Sequence, residues 1–442
     1  MKDSVPHLRE FRAEIRGNGL AHLIFDAPNR SMNVFSNAAI HELAEFCRWL
    51  AASSVRGVLI RSGKASAFCV GADLTELGSA YDMIVQSAPS ARFNAAFDRF
   101  FPLSAAIRAL ETAGKPVAAA IAGLALGGGC ELAMGAHYRV LADTPSAALG
   151  LPESLVGLLP GAGGTQRLPR LVGLERALPV LLEGARLSGA AALDAGLVSD
   201  VVPPGEEVAA AEKWLLSKAV AQQPWDRSHW SPPSSGELDA IIGKARDKVL
   251  AESLGHYPAP LAILDCLQFG LPQCFDGAIR SEMAIFSHLI QRPEPRNMIQ
   301  SLFLGKTDYE RRAKRGELPD FVGEMLAVVQ AVLSANEKHL AALGAAGFSR
   351  MADRPPPPAR RRAEPGYWVD DDIADEQRRA ARAVLQEISV AVTPMADRLS
   401  TDEQRLADYA AIRDVGYPAY LGGPFAFLGR LRLGDNKSGL SR

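Results

Sequence analysis

The segment Ile121–Met134 combines three consecutive glycines with a carboxylate in an otherwise apolar run. The apolar residues before the glycines predict a buried strand, and those after them predict the start of a helix. Glycine lets the chain turn sharply and lets a ligand approach the backbone. The first N–H groups of a helix lack partners and carry positive potential. They could stabilise an oxyanion that develops in a reaction. Alternatively, the glycines could serve only close packing of the strand against the helix.

Two glutamates could supply acid–base chemistry near that turn. Glu131 lies among apolar neighbours, where a carboxylate is costly to bury unless it has a partner or a task. Glu153 also lies in an apolar setting, although it could instead belong to a surface turn. One carboxylate can manage water while the other handles a carbon proton, which suits a carbonyl substrate. The next turn, Pro160–Arg167, is not a phosphate loop because no Gly-Lys-Ser/Thr follows.

The elements that would position these residues alternate between strands and helices over the first 205 residues. Strands are predicted at Leu20–Phe25, Gly57–Ile60, Val117–Ile121 and Tyr138–Ala142. Ser36 would cap a helix over Ser36–Ala51. This alternation predicts an α/β fold with a parallel or mixed sheet.

The rest of the chain predicts a mainly helical C-terminal extension. Residues 206–350 have helical spacing at Glu206–Ala221, Asp239–Leu254, Gly277–Leu289 and Phe321–Leu343. Prolines and arginines at 351–370 predict a solvated linker, because such residues cannot pack a core. Residues 371–442 form a helical tail, which begins with a charged helix over Asp371–Val392.

Composition limits the classes of protein. The 442 residues predict two or three domains. The 48 Lys and Arg against 50 Asp and Glu give a net charge of −2, which argues against nucleic-acid binding and membrane-surface binding. The five cysteines contain no CxxC motif, which argues against a disulfide scaffold and against a cysteine-rich zinc site. A reducing compartment fits this composition. The N-terminus lacks an apolar signal core. We therefore expect a soluble cytoplasmic protein.

Six segments in the right order resemble the crotonase (enoyl-CoA hydratase/isomerase) superfamily over about Leu8–Pro203. The segments are Asn33–Ser36, Ser66–Leu74, Ala122–Ala133, Gly150–Glu153, Pro160–Arg170 and Ala192–Val198. The resemblance implies that residues 1–205 form a crotonase-like ββα spiral that binds an acyl-CoA thioester. Val70 departs from the pattern, since the family usually has a small residue there.

The resemblance also implies roles for individual residues. The backbone N–H groups of Ala72 and Gly128 would form the oxyanion hole. Glu131 would hold and activate water, and Glu153 would deliver a proton to the α-carbon of a trans-2-enoyl-CoA. The resemblance implies no metal and no redox cofactor. Coenzyme A would enter as part of the substrate.

The residues implied to bind the substrate are Ala72, Asp73, Leu74, Gly127 and Gly128. Arg30 and Lys64 lie close in sequence to segments that line the CoA site in the family. They could meet the CoA phosphates as point charges, or they could be solvated surface residues.

The later part of the chain resembles multifunctional fatty-acid oxidation proteins at Pro224–Asp226, Tyr257–Pro260 and Phe303–Thr307. In those proteins such segments lead into an NAD-dependent 3-hydroxyacyl-CoA dehydrogenase. No G-x-G-x-x-G follows a strand after Pro203, so we expect the NAD-binding domain to be missing. Gly416–Phe425 resembles the end of the dehydrogenase's C-terminal domain, which would make 371–442 a remnant of it. The alternative is a simple Gly/Pro turn cluster.

These observations favour an enoyl-CoA hydratase of fatty-acid β-oxidation. A Δ3,Δ2-enoyl-CoA isomerase, or an enzyme with both activities, is the first alternative, because isomerisation needs only one carboxylate. Another class is a non-catalytic acyl-CoA-binding or scaffold protein that recruits a separate 3-hydroxyacyl-CoA dehydrogenase. A specialised crotonase reaction also remains open. The resemblance to the multifunctional proteins implies that the helical extension covers the surface that another subunit would otherwise bury, which favours a monomer or homodimer. Light scattering that shows a trimer or hexamer would contradict this.

Overall fold

The computed structural model describes residues 5–217, 219–228, 230–348 and 376–438. The chain divides into two compact units. Unit 1 contains Met1–Ala245 and Ala262–Gln291, and unit 2 contains Arg246–Leu261 and Arg292–Arg442. Unit 1 is therefore assembled from two separate stretches of sequence.

Two β-sheets form the framework of unit 1. The strands are β1 (Phe11–Ile15), β2 (Leu20–Phe25), β3 (Gly57–Ser62), β4 (Ala67–Cys69), β5 (Val117–Ile121), β6 (Leu124–Leu126), β7 (Tyr138–Ala142), β8 (Leu149–Gly150), β9 (Arg186–Leu187) and β10 (Asp200–Val202). The larger sheet has the order β1-β2-β3-β5-β7-β10, with β1 antiparallel to β2 and the other pairs parallel. The smaller sheet has the order β4-β6-β8-β9. The predicted α/β fold with a mixed sheet is confirmed.

The central strands of the larger sheet are buried along their whole length. Every residue of β2 and β5 is buried, as expected for parallel strands that are covered on both faces. His22 is the polar member of β2, and its Nε2 lies 2.8 Å from Glu212 Oε1. The apolar runs by which these strands were predicted are therefore the core of unit 1.

Helices account for most of the remaining described chain. They are α1 (Asn37–Ala52), α2 (Leu74–Gln86), α3 (Arg92–Glu111), α4 (Gly128–Met134), α5 (Gly164–Val172), α6 (Leu174–Leu182), α7 (Gly189–Asp194), α8 (Glu207–Leu216), α9 (Ser235–Ser253), α10 (Pro258–Gly270), α11 (Phe275–Leu289), α12 (Pro293–Met298), α13 (Lys306–Arg315), α14 (Asp320–Ala335), α15 (Leu340–Ala345), α16 (Glu376–Ala396), α17 (Thr401–Val415) and α18 (Pro424–Ser438). A π-helical turn at Ile299–Gly305 joins α12 to α13.

Most of the predicted helices are present, with ends that shift by a few residues. Ser36 caps α1 as predicted, and its side chain accepts a hydrogen bond from the N–H of Ala39. The prediction of one helix over Phe321–Leu343 was wrong, because α14 ends before Asn336. The Asn336 side chain donates to the carbonyl of Val332 at 2.9 Å, and such local bonds compete with helix continuation.

Unit 2 is helical in its described part and has its own hydrophobic core. The segment predicted as a dehydrogenase-like tail contributes Tyr417, Tyr420 and Leu421 to that core. Asp408 of α17 is buried and accepts hydrogen bonds from the N–H groups of Phe425 and Ala426, at 2.8 and 3.0 Å. The segment is thus packed structure. Its origin as a remnant of a dehydrogenase domain stays a prediction.

The compact units do not follow the boundaries predicted at residues 205 and 350. They differ because helices of the predicted extension belong to both units: α11 lies in unit 1, whereas α14 lies in unit 2. The linker predicted at 351–370 lies outside the described residues. Which segments act as functional domains stays a prediction.

Among the described helices, none by itself combines the length and hydropathy needed to cross a bilayer; one pair, Pro293–Arg315 with Asp320–Ala335, meets that test jointly but is bent by 118°.

Candidate active site

Three strands of the smaller sheet lead into the segments that were predicted to carry the chemistry. β4 is followed by Gly71 and Ala72, β6 by Gly127 and α4, and β8 by the turn that holds Glu153. These three strands pair in parallel, so their carboxyl ends meet at one edge of the sheet. Segments that are far apart in sequence are thereby brought together.

The two amides predicted for the oxyanion hole lie in adjacent segments. A Cβ on Gly71 would lie 3.3 Å from the Leu126 carbonyl oxygen and 3.7 Å from the Gly128 nitrogen. Ala72 and Phe35 form an isolated parallel β-bridge. The Phe35 N–H donates to the carbonyl of residue 71, and the N–H of residue 73 donates to the Phe35 carbonyl, so the N–H of Ala72 points away from Phe35. Gly128 is the first residue of α4, where an N–H has no helical partner. Neither N–H donates to another described residue.

Glu131 is buried and held by one of its two oxygens. Its side chain rises from the first turn of α4, and Oε1 accepts hydrogen bonds from the N–H groups of Ala162 and Gly164, both at 2.7 Å. No described donor bonds Oε2. Burial raises the pKa of Glu131 to about 7, although the two amide hydrogen bonds oppose the rise. The carboxylate is thus fixed in place and titrates near neutral pH.

Glu153 has a different environment, with fewer polar neighbours. It lies in the short helical turn Pro152–Val156, and its Oε2 is buried without a hydrogen-bond partner among the described residues. Its Oε1 lies against Gly127, where an added Cβ would approach to 2.8 Å. Burial, and then the charge of Glu131, raise the pKa of Glu153 well above its usual range. The environment therefore favours the protonated form of Glu153 more than water does.

A third buried carboxylate at the site was missed by the sequence analysis. Glu282 of α11 is fully buried and accepts hydrogen bonds from Gly163 N–H at 2.6 Å and Thr165 N–H at 3.0 Å. Burial, and then the charge of Glu131, raise the pKa of Glu282 to about 8. A signal was present in the sequence, because Glu282 shares the helical spacing of the buried residues Ile279 and Phe286.

The remaining predicted substrate residues take part in contacts within the protein. Asp73 caps α2 by accepting from the N–H groups at 75 and 76, and its Oδ2 lies 2.7 Å from Arg30 Nη2. Lys64 Nζ lies 2.9 Å from Asp26 Oδ1. Leu74 is the first residue of α2. Both cations therefore already pair with carboxylates, and their contact with CoA phosphates stays a prediction.

A buried ion pair supports the turn that holds Glu131. Arg167 and Glu111 are both fully buried and form two contacts, with Nε 2.7 Å from Oε1 and Nη2 3.0 Å from Oε2. Arg167 Nη1 also donates to the carbonyl of Ala162 at 2.6 Å. The ion pair thus holds the carbonyl of Ala162, the residue whose N–H donates to Glu131.

Comparison with known proteins supports the family resemblance that the sequence motifs indicated. Residues 16–226 match the family described as enoyl-CoA hydratase/isomerase. This region belongs to the enoyl-CoA hydratase/isomerase family. The resemblance on which the site residues were predicted is therefore confirmed at the level of the family.

Curated relatives extend the similarity beyond the enoyl-CoA hydratase/isomerase region. The chain is similar to fatty acid oxidation complex subunit alpha of Shewanella frigidimarina, with 34% identity over 72% of this chain and 44% of the relative. It is similar to the protein of that name from Idiomarina loihiensis, with 33% identity over 71% of this chain and 44% of the relative. The matches thus span less than half the length of these relatives.

Solved structures of enoyl-CoA hydratases are also similar to the chain. The enzyme from Mycobacterium avium subsp. paratuberculosis is 20% identical with a TM-score of 0.46, over 67% of this chain and 100% of its own. The enzyme from Bacillus anthracis is 24% identical with a TM-score of 0.41, over 66% and 96%.

The raised pKa of Glu131 should make the stability of this enoyl-CoA hydratase/isomerase domain depend on pH. An unfolded glutamate titrates near pH ~4.3, whereas folded Glu131 titrates at about 7, so the folded state binds more protons between these values. The contribution of this proton to the free energy of unfolding is fully present below about pH 4.3 and is lost as the pH rises through about 7.

We therefore expect Glu131→Gln, which cannot ionise, to gain thermal stability relative to the wild type between about pH 5 and pH 8. Unfolding midpoints of the two proteins across that range would check this. A difference in midpoint that is independent of pH would contradict it.

Proposed function

We propose that the chain is an enoyl-CoA hydratase that adds water across the double bond of a trans-2-enoyl-CoA. The observation that carries the proposal is a pair of glutamates in unlike environments, Glu131 buried and Glu153 with a buried Oε2, next to two N–H groups without partners among the described residues. Pairs of carboxyl groups whose pKa values are separated by their surroundings are typical of acid–base catalysis.

Glu131 would act as the general base. Its Oε1 is tethered by two amides, which leaves Oε2 to accept a proton from a water molecule. As that proton moves to Glu131, the water oxygen forms a bond to the β-carbon of the thioester. A base that titrates near neutral pH is well matched to this step.

The electrons of the double bond would then move onto the thioester oxygen. The N–H groups of Ala72 and Gly128 would stabilise this enolate, and such preorganised donors cost little reorganisation. Glu153 would complete the reaction by giving its proton to the α-carbon, which yields a 3-hydroxyacyl-CoA. Its raised pKa favours retention of the required proton.

This reaction moves only water and protons, so we propose that it needs no metal and no redox cofactor. The 3-hydroxyacyl-CoA product is the substrate class of a 3-hydroxyacyl-CoA dehydrogenase. We propose a separate dehydrogenase as the partner that consumes it, in the cytoplasm.

An assay of the purified chain tests the proposal and separates its rivals. Crotonyl-CoA, longer 2-enoyl-CoA and 3-enoyl-CoA substrates would be tested with and without NAD. Hydration of the 2-enoyl substrates is expected. Turnover of 3-enoyl-CoA alone would favour the isomerase, and binding without turnover would favour a scaffold protein. NADH formation from a 3-hydroxyacyl-CoA would refute the expectation that the dehydrogenase is missing.

The close approach of Gly127 to Glu153 gives a second test. Gly127 has φ +53°, which other residues rarely adopt, and an added Cβ would meet Glu153 Oε1 at 2.8 Å. We expect Gly127→Ala to displace the proton donor and to lower kcat for crotonyl-CoA by about 10²-fold or more.

Gly173→Ala is the matched control for this change. Gly173 also has a positive φ, of +85°, but an added Cβ would meet nothing within 4 Å. Both variants should lose stability through backbone strain, while only Gly127→Ala should lose kcat. Equal losses of kcat in the two variants would argue against the assigned position of Glu153.

A further inference from the structure

The third buried carboxylate approaches the site from outside the family region. Glu282 lies on α11, beyond residues 16–226, and its side chain is fully buried. Oε1 accepts from Gly163 N–H, and Oε2 accepts from both the N–H and the hydroxyl of Thr165. Both oxygens are therefore engaged by donors of the turn at 163–165.

Four consecutive amides of one turn alternate between two carboxylates. The N–H groups at 162 and 164 bond Glu131 Oε1, and those at 163 and 165 bond the two oxygens of Glu282. Each N–H belongs to one planar peptide unit, and successive units are joined at a shared Cα, so a displacement of the N–H groups at 163 and 165 should also displace those at 162 and 164. The two side chains are thus mechanically linked through the backbone.

A carboxylate is an expensive choice at this position of α11. Its neighbours on the buried face include Ile279, Met283 and Phe286, but an apolar side chain would leave the N–H groups of Gly163 and Thr165 without an acceptor. The charge of Glu131 raises the pKa of Glu282, and the charge of Glu282 in turn raises the pKa of Glu153. Burial alone therefore does not explain its presence.

We propose that Glu282 is a positioning residue for Glu131. It fixes the turn at 162–165 so that two amides tether Glu131 Oε1 and leave Oε2 directed to water. This inference rests on the proposed hydratase function. It also assigns a task to α11: the helix completes a site whose reacting groups lie elsewhere in the chain.

Glu282→Asp tests the proposal because it keeps the carboxyl group but shortens the side chain by one methylene. The groups that face position 282 are then unchanged: Glu131, Glu153, Thr165, Arg167, Arg170 and Cys266. We expect kcat for crotonyl-CoA to fall by about 10²-fold with little change in KM, as for a small misplacement of a reacting group.

The pH dependence separates positioning from general damage. Amide hydrogen bonds hold the pKa of Glu131 down, so losing them should move the acidic limb of kcat/KM to higher pH. The carboxyl carbon resonance of Glu131, assigned by its absence from Glu131→Gln, should titrate at higher pH as well. Asp408→Asn is the control: it removes another buried carboxylate that accepts two amides, and should lower stability without moving the acidic limb.

The outcomes separate this inference from the proposed function. If the wild type hydrates crotonyl-CoA and Glu282→Asp keeps its kcat and acidic limb, the positioning role is wrong and the function stands. If the wild type has no hydratase activity, the function fails, and an unchanged Glu131 titration would overturn the positioning role too. If Glu282→Asp does not fold, Thr165→Val removes the hydroxyl that donates to Glu282 Oε2 and accepts from Gln166 Nε2, while the backbone N–H to Glu282 stays. It should shift the titration in the same direction, and no shift would overturn the proposal.

Discussion

Glu131→Gln should slow the hydration of crotonyl-CoA by about 10²–10⁴-fold, the usual contribution of a general base. The glutamine oxygen can still accept from the amides of Ala162 and Gly164, so the side chain should keep its place. What is lost is the ability to take a proton from water. Steady-state kinetics at a pH above about 7 would measure this loss with the wild-type carboxylate ionised.

Glu153→Gln completes the experiment, because the two glutamates have separate tasks. We expect it to lose hydration to a similar extent, since glutamine cannot deliver a proton to carbon. If isomerisation of a 3-enoyl-CoA survives Glu131→Gln and is lost in Glu153→Gln, the hypothesis of a Δ3,Δ2-enoyl-CoA isomerase is favoured. Hydration that is intact in Glu131→Gln would refute the two-carboxylate mechanism.

A matched control shows whether any buried glutamate would have the same effect. Glu294 is buried, and its Oε1 lies 2.7 Å from Arg292 Nη2 in unit 2. Glu294→Gln should change the thermal unfolding midpoint and leave kcat within about twofold of the wild type.

The second large effect concerns stability. Glu111→Leu should lower the free energy of unfolding by about 3–5 kcal/mol, because it leaves the fully buried Arg167 guanidinium without its carboxylate. Arg167 would retain one strong bond, to the carbonyl of Ala162. Urea unfolding of the variant and the wild type would measure the difference.

The double variant Glu111→Leu with Arg167→Met should recover much of that loss, since no charge then remains buried without a partner. Asp397→Ala serves as the exposed control. It breaks a pair with Arg432 at 3.0 Å whose side chains are 49% and 60% exposed, and should cost no more than about 1 kcal/mol. A loss in Glu111→Leu as small as that of the control would contradict the prediction.

The sequence predicted the parts of the site that are encoded locally. Glu131 follows the glycines directly, so one short motif specifies both the turn and the carboxylate. Likewise, the strands of the larger sheet were found because parallel strands buried on both faces are apolar throughout. In each case a single stretch of chain carries both the signal and the structure.

The parts that escaped prediction depend on contacts between distant segments. Glu282 comes from a helix more than a hundred positions after Gly163 and Thr165, and no spacing rule links them. Lys64 and Arg30 were predicted to meet CoA phosphates or to be solvated surface residues, and their carboxylate partners were not foreseen. Helix α14 ends before Asn336, whose side chain bonds the carbonyl of Val332 in the preceding turn, a local contact that periodicity does not reveal.

The discontinuous path of the chain through unit 1 has a consequence for how such a gene can be cut and rejoined. An exchange of coding sequence at position 205 would transfer Glu131, Glu153 and every glycine of the site together. It would leave Glu282 behind, because residues 262–291 return to unit 1 only after the chain has entered unit 2. Recombination at the edge of the recognisable motif would thus inherit the reacting groups without the helix that anchors them.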